Sequence, residues 1–190
     1  MDEITVKLTA IFQVAVDWMK FAEAKNAVIL AFSGAGITAI VTSLSTTSKL
    51  SQSLYIGFLT SIVFLCITSL VCAISFLPKT DLEHIVWLNK KPSKKSGKSI
   101  KDTDNLYFFE ELQKYNSMEL LEAINKHYFE NKIQLPYKKE YLDLANQIVI
   151  NSKIASMKFQ LSGVSVWLLI VSMCSIPSIL ILHFMIYRSF

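Results

Sequence analysis

The chain has 190 residues, room for one ordinary domain, yet 52% of them are hydrophobic, 18% are charged and mean hydropathy is +0.40. A soluble domain averages about 45–50% apolar and about 25% charged residues, so the balance excludes an ordinary soluble enzyme class and points to a membrane protein. The net charge of +4 is modest, and its placement matters more than its size.

The N-terminus does not read as a signal peptide. Asp2 and Glu3 stand where a basic n-region belongs, and Asp17 and Lys20 interrupt any apolar core. Ile4, Leu8, Ile11, Ala15, Trp18 and Ala22 step by four and three, an apolar stripe at heptad spacing. Residues 1–25 are therefore expected as an amphipathic cytoplasmic helix. It either lies on the membrane with Trp18 as an interfacial anchor or continues into the first span and packs on the cytoplasmic portion. No Gly or Pro separates it from that span, so one long helix is the expectation.

Three segments meet the length of roughly 20 apolar residues that a span needs. They run from about Asn26 to Ser45, from Ser53 to Leu77 with Pro78 as the stop, and from Phe159 to Tyr187. Only TTSKLSQ separates the first two, so 26–78 reads as a transmembrane helical hairpin and 159–187 as a third transmembrane helix. Ala27, Ala31, Ala35, Ala39 and Ser43 recur every four residues in the first span, with Gly34, Thr38 and Thr42 beside them. Lipid gives helices no hydrophobic reason to associate, so such a row serves close backbone approach. It reads as a helix-packing seam, expected against the second span, with a seam between protomers as the alternative.

Residues 79–158 hold 14 lysines, and the N-terminal segment holds Lys7, Lys20 and Lys25. The hairpin loop has Lys49 and the C-terminal tail Arg188. The positive-inside rule then places the N-terminus and 79–158 in the cytoplasm and the C-terminus outside. Lysines are densest over 90–101, a stretch with Ser, Gly and Pro but no acid before Asp102. It reads as a flexible loop attracted to an anionic leaflet, and not as a nucleic-acid site, for want of interleaved aromatics and a binding fold.

LYFFEELQKY follows, with Leu106 to Phe109 too bulky for solvent. Asn116 and Glu119 have capping-box spacing, and Tyr115 with Leu120 suits a hydrophobic staple. A helix from Ser117 to about Glu130 is expected, burying Leu120, Leu121, Ile124 and Tyr128. Beyond Pro136, Leu142, Ala145, Ile148 and Ala155 keep helical spacing from Tyr141 into the third span. The expected class is thus an all-α membrane protein: three transmembrane helices and a small, mainly helical cytoplasmic domain into which the first and last spans continue. Cys66, Cys72 and Cys174 fall in apolar runs without disulfide or metal spacing and read as small core residues. His84, His127 and His183 are isolated, and no catalytic triad, phosphate loop or metal helix is present. No enzyme and no metal are expected.

FAEAKNAVILAFSGA in the first span, NLYFFEELQKYNSMELLEAI in the middle and YLDLANQIVINSKIASMKF before the last span together resemble the Pycsar effector family of bacterial membrane proteins. The likeness runs from about Trp18 to about Met173. It implies an anti-phage effector, in the inner membrane and forming a homo-oligomer, that answers cyclic CMP or cyclic UMP made by a partner pyrimidine nucleotide cyclase. The response impairs the membrane and aborts infection. The competing class is a constitutive holin-like or pore-subunit protein without a nucleotide ligand. A cyclic mononucleotide asks for a cation, amide donors and a stacking surface. Lys25, Asn146, Gln147, Asn151, Lys153 and Lys158 are the polar candidates, with Tyr107, Phe108 and Phe109 for stacking. Gln147 and Asn151 lie four apart, on one helical face. Against each stands a plainer role as interface marker, inter-helix hydrogen bond or core ring.

Overall fold

The computed structural model describes residues 2–47, 50–77, 100–133 and 135–188, with residues 187 and 188 described by backbone alone. Lys49, Pro78, His84 and most of the lysine-rich stretch lie outside the described residues. Among those residues the chain is five helices and no strand: α1 (Glu3–Thr46), α2 (Gln52–Ser75), the single turn α3 (Phe109–Leu112), α4 (Ser117–Phe129) and α5 (Lys139–Arg188). Two compact units divide it, one from residues 1–22 and 79–159, the other from 23–78 and 160–190. α1 and α5 run unbroken through both.

In the first unit the heptad stripe of α1 is buried. Ile4, Leu8 and Ile11 join Leu106, Leu112 and Tyr115, then Leu120, Leu121 and Ile124 of α4, and Tyr141, Ala145, Ile148 and Val149 of α5. The capping box forms as the spacing predicts: the Glu119 amide donates to Asn116 Oδ1 at 2.9 Å, and the Asn116 amide to Glu119 Oε2 at 2.8 Å. Tyr128 departs from expectation. Its ring is exposed and lies 3.7 Å under the Lys7 ammonium, so a cation–π contact takes it to the rim. Asn125 takes the place of Tyr128 on the inner face. Its amide donates to the Ile133 carbonyl and the Tyr137 hydroxyl and accepts from the Ile133 amide, pinning the turn after α4.

In the second unit α2 supplies the small-residue row. Ser53, Gly57, Ser61, Leu65, Thr68, Cys72 and Ser75 are its buried positions. A Cβ at Gly57 would stand 3.4 Å from the Ile176 Cα, and one at Gly36 would stand 3.1 Å from Leu65 Cδ1. At Gly57 α2 therefore comes close to the α5 backbone, while at Gly36 the Leu65 side chain of α2 fills the space beside α1. Ser61 and Ser172 couple α2 to α5, hydroxyl to hydroxyl at 2.8 Å and each to the other's carbonyl at 3.1 Å. α5 passes through Pro177 without ending. The predicted first-span row behaves otherwise: Ala27, Ala31, Ala35 and Ala39 are exposed and Ser43 half-buried. α1 buries Asn26, Ile29 and Ser33 instead, a face turned away from the alanines, so the in-chain packing of α1 is carried by these residues and not by the alanine row.

Candidate functional site

Every ligand candidate in the sequence except Lys25 falls in the first unit. A depression of about 290 Å³ opens there between α4 and residues 100–102, floored by Tyr115 and edged by Lys101, Asp102, Glu119, Glu122, Lys126 and His127. It sits at the lower edge of the size range of ligand pockets. Its charges largely answer one another. Lys126 Nζ donates to both Asp102 oxygens at 2.7 Å, and this hydrogen-bonded ammonium holds the Asp102 carboxyl below the usual aspartate range.

Beside it lies a more enclosed network. Asp104, with 4% of its side chain exposed, accepts from the Lys101 amide at 3.1 Å, from Lys114 Nζ at 3.3 Å and from the Tyr115 hydroxyl at 3.2 Å. Lys114 also pairs with Glu111. Burial pushes the Asp104 carboxyl up, but the Lys101 amide, Lys114 and Tyr115 outweigh it and hold it low. The Tyr115 hydroxyl is pushed up to about 12 by burial and by the Asp104 charge. This network ties residues 101–104 to residues 111–115.

None of the residues picked from the sequence lines the depression. Phe109 is buried and stacked on Phe159, centroids 4.8 Å apart at 15°. Tyr107 accepts the Trp18 indole N–H on its carbonyl at 3.3 Å, and its ring lies 5.1 Å from Lys7 Nζ. Asn146, Gln147 and Lys153 are exposed along α5, Asn151 is half-buried, Lys158 is buried, and Lys25 is exposed on the α1 stretch of the other unit. The structure thus leaves the exposed α5 amides open to a ligand and commits Phe109 to packing.

Sequence reasoning took the aromatics singly and missed their assembly. Trp18 is 5.8 Å from Phe108, 5.3 Å from Phe109, 6.2 Å from Phe159 and 6.4 Å from Phe21. The available signal was the presence of bulky aromatics in three distant segments, Trp18 with Phe21, Phe108 with Phe109, and Phe159. Val14, Asp17, Trp18 and Phe21 border an open apolar hollow of about 470 Å³ on α1. Among the described residues no group of three His, Cys, Asp or Glu side chains is placed to hold a metal ion.

Three helices, Glu3–Thr46, Gln52–Ser75 and the Lys139–Ile186 stretch of α5, are long and apolar enough to cross a bilayer. With a helical unit built on the ends of two of them, they define a multi-pass all-α membrane protein. The sequence profile of the Pycsar effector protein domain (PycTM) matches residues 7–185. The chain belongs to this family, and its role is that of an anti-phage defence effector. A search of curated proteins and of solved structures finds no significant match.

Proposed function

We propose that the protein senses a cyclic pyrimidine mononucleotide, cyclic CMP or cyclic UMP, supplied by a partner cyclase, and impairs the bacterial inner membrane in response. The observation that carries this reading is continuity: in a chain matched to the effector family over residues 7–185, α1 and α5 belong both to the helical unit and to the spans. A ligand that prefers one arrangement of the helix ends shifts the spans they lead into, provided its affinity for the two arrangements differs. In this reading 1–25 and 79–158 are the cytoplasmic sensor, 26–78 and 159–187 the membrane part, and the lysine distribution orients them. The exposed Asn146, Gln147 and Lys153 on α5 are the groups through which the ligand is addressed.

The same reading makes the protein a homo-oligomer. Only 17% of the α1 spanning window is buried within the chain. Its exposed face carries Ala27, Ala31, Ala35 and Ala39, whereas α2 turns Tyr55, Ile56, Leu59, Val63 and Leu70 outward. Large side chains suit lipid, and a row of alanines suits another helix.

The test is thermal unfolding of the detergent-purified protein against a panel of cyclic mononucleotides. At about 100 times the dissociation constant, specific binding adds about 2.7 kcal/mol to the native state. A shift with cyclic CMP or cyclic UMP alone is expected. No shift with any nucleotide, together with killing on expression without a cyclase, would replace this reading with a constitutive holin-like protein.

A further inference from the structure

The membrane unit has a polar interior. The buried row of α2 is hydroxyl, thiol or glycine at every position except Leu65. Across from it α5 buries Ser162, Ser165 and Ser172. The contacts run in order along the two helices: Gly57 at Ile176, Ser61 at Ser172, and Cys72 beside Ser165.

Hydroxyls in spanning helices ordinarily bond the carbonyl one turn back, and Thr38, Ser43, Thr60 and Thr68 do so here at 2.8–3.0 Å. Ser162 and Ser165 do not. Both are 0% exposed, and their hydroxyl oxygens meet no hydrogen-bond partner in good geometry; the Cys72 thiol beside Ser165 is only a weak one. An enclosed hydroxyl without a partner is unfavourable in hydrocarbon surroundings, and water is the small molecule that satisfies it. Leu65 interrupts the row, 4% exposed, with its methyl groups against Gly36 of α1. A hydrophobic constriction in a polar path closes it by excluding water.

We propose that the hydroxyl row between α2 and α5 is a water and proton path through the membrane unit, shut in this structure by Leu65. This rests on the membrane-impairing reading and gives it a permeant species: protons, relayed along water and hydroxyls, with larger solutes excluded.

The experiment uses full-length protein in liposomes loaded with a pH-sensitive dye and, separately, with carboxyfluorescein, under a potassium diffusion potential and without nucleotide. Leu65→Ala is expected to raise proton entry about tenfold or more over wild type while retaining carboxyfluorescein, since the constriction is gone. Adding Ser162→Ala and Ser165→Ala to it is expected to return proton entry to the wild-type rate. Should Leu65→Ala fail to elute and unfold like wild type, Leu65→Thr, which keeps most of the volume, carries the same expectation. A well-folded Leu65 variant no leakier than wild type overturns the proposal, as does a leak that persists without the two serines. Because no nucleotide is used, a leaky Leu65 variant beside a wild type unresponsive to cyclic CMP and cyclic UMP would sink the gated reading and leave the path standing.

Discussion

Trp18 does two jobs with one side chain. Its ring ties Phe108, Phe109 and Phe159 together, and its N–H donates to the Tyr107 carbonyl. Trp18→Phe keeps most of the ring contacts and loses the hydrogen bond, a cost of about 1 kcal/mol. Trp18→Ala empties the cluster and costs about 3 kcal/mol, so thermal unfolding should rank the two in that order. Asp104 sets a pH dependence at the same scale. Its folded-state pKa lies below the ordinary value, so its stabilisation is complete above about pH 4 and fades as pH falls through the lower folded value. Tyr115 works from the other end. With its pKa raised to about 12, its contribution is complete below about pH 10 and is lost as pH rises toward 12. Unfolding midpoints measured across pH should lose the acid arm in Asp104→Asn and the alkaline arm in Tyr115→Phe.

The elements differ in how openly the sequence announces them. The α4 capping box was legible because it is local: Asn116 and Glu119 satisfy each other's backbone amides within four residues, whatever packs around them. Asn116→Ala should cost about 1 kcal/mol, read as earlier unfolding and faster amide exchange in the first turn of α4. The unbroken α1 was legible for the opposite reason, that nothing between Glu3 and Thr46 stops a helix. Which face a helix turns inward was not local. Ala27 to Ser43 and Ser53 to Ser75 are both small rows at four-residue spacing, and only the α2 row meets a partner in the chain, through Gly57 and Ser61. That choice depends on the rotation of one helix against another, which spacing does not encode. Gly57→Leu forces a side chain against the Ile176 backbone and should destabilise the membrane unit by about 1–3 kcal/mol, whereas Ala31→Leu, on the open α1 face, should leave single-chain stability unchanged.

At the scale of the molecule, Ala31→Leu with Ala35→Leu has a separate consequence. If α1 is the face between copies, chemical crosslinking in membranes should fall from oligomers to single chains while the nucleotide-induced thermal shift survives. The family and the three spans could be read from residue order alone. The aromatic cluster could not, because it joins residues 18, 21, 108, 109 and 159, and no window of sequence holds them together. The same long-range joinery has a cost in time. Ile4, Leu8 and Ile11 are covered by residues as late as Ile148 and Val149. At 5–20 residues per second the ribosome needs on the order of 7–30 s to make the roughly 140 residues between them. The first of those partners, Leu106 to Ile124, are made earlier in that interval, and the cover stays incomplete until Ile148 and Val149 follow. A message cut short before Val149 is therefore expected to yield a chain with an incomplete core, degraded faster in pulse-chase than the full-length protein, rather than a smaller working effector.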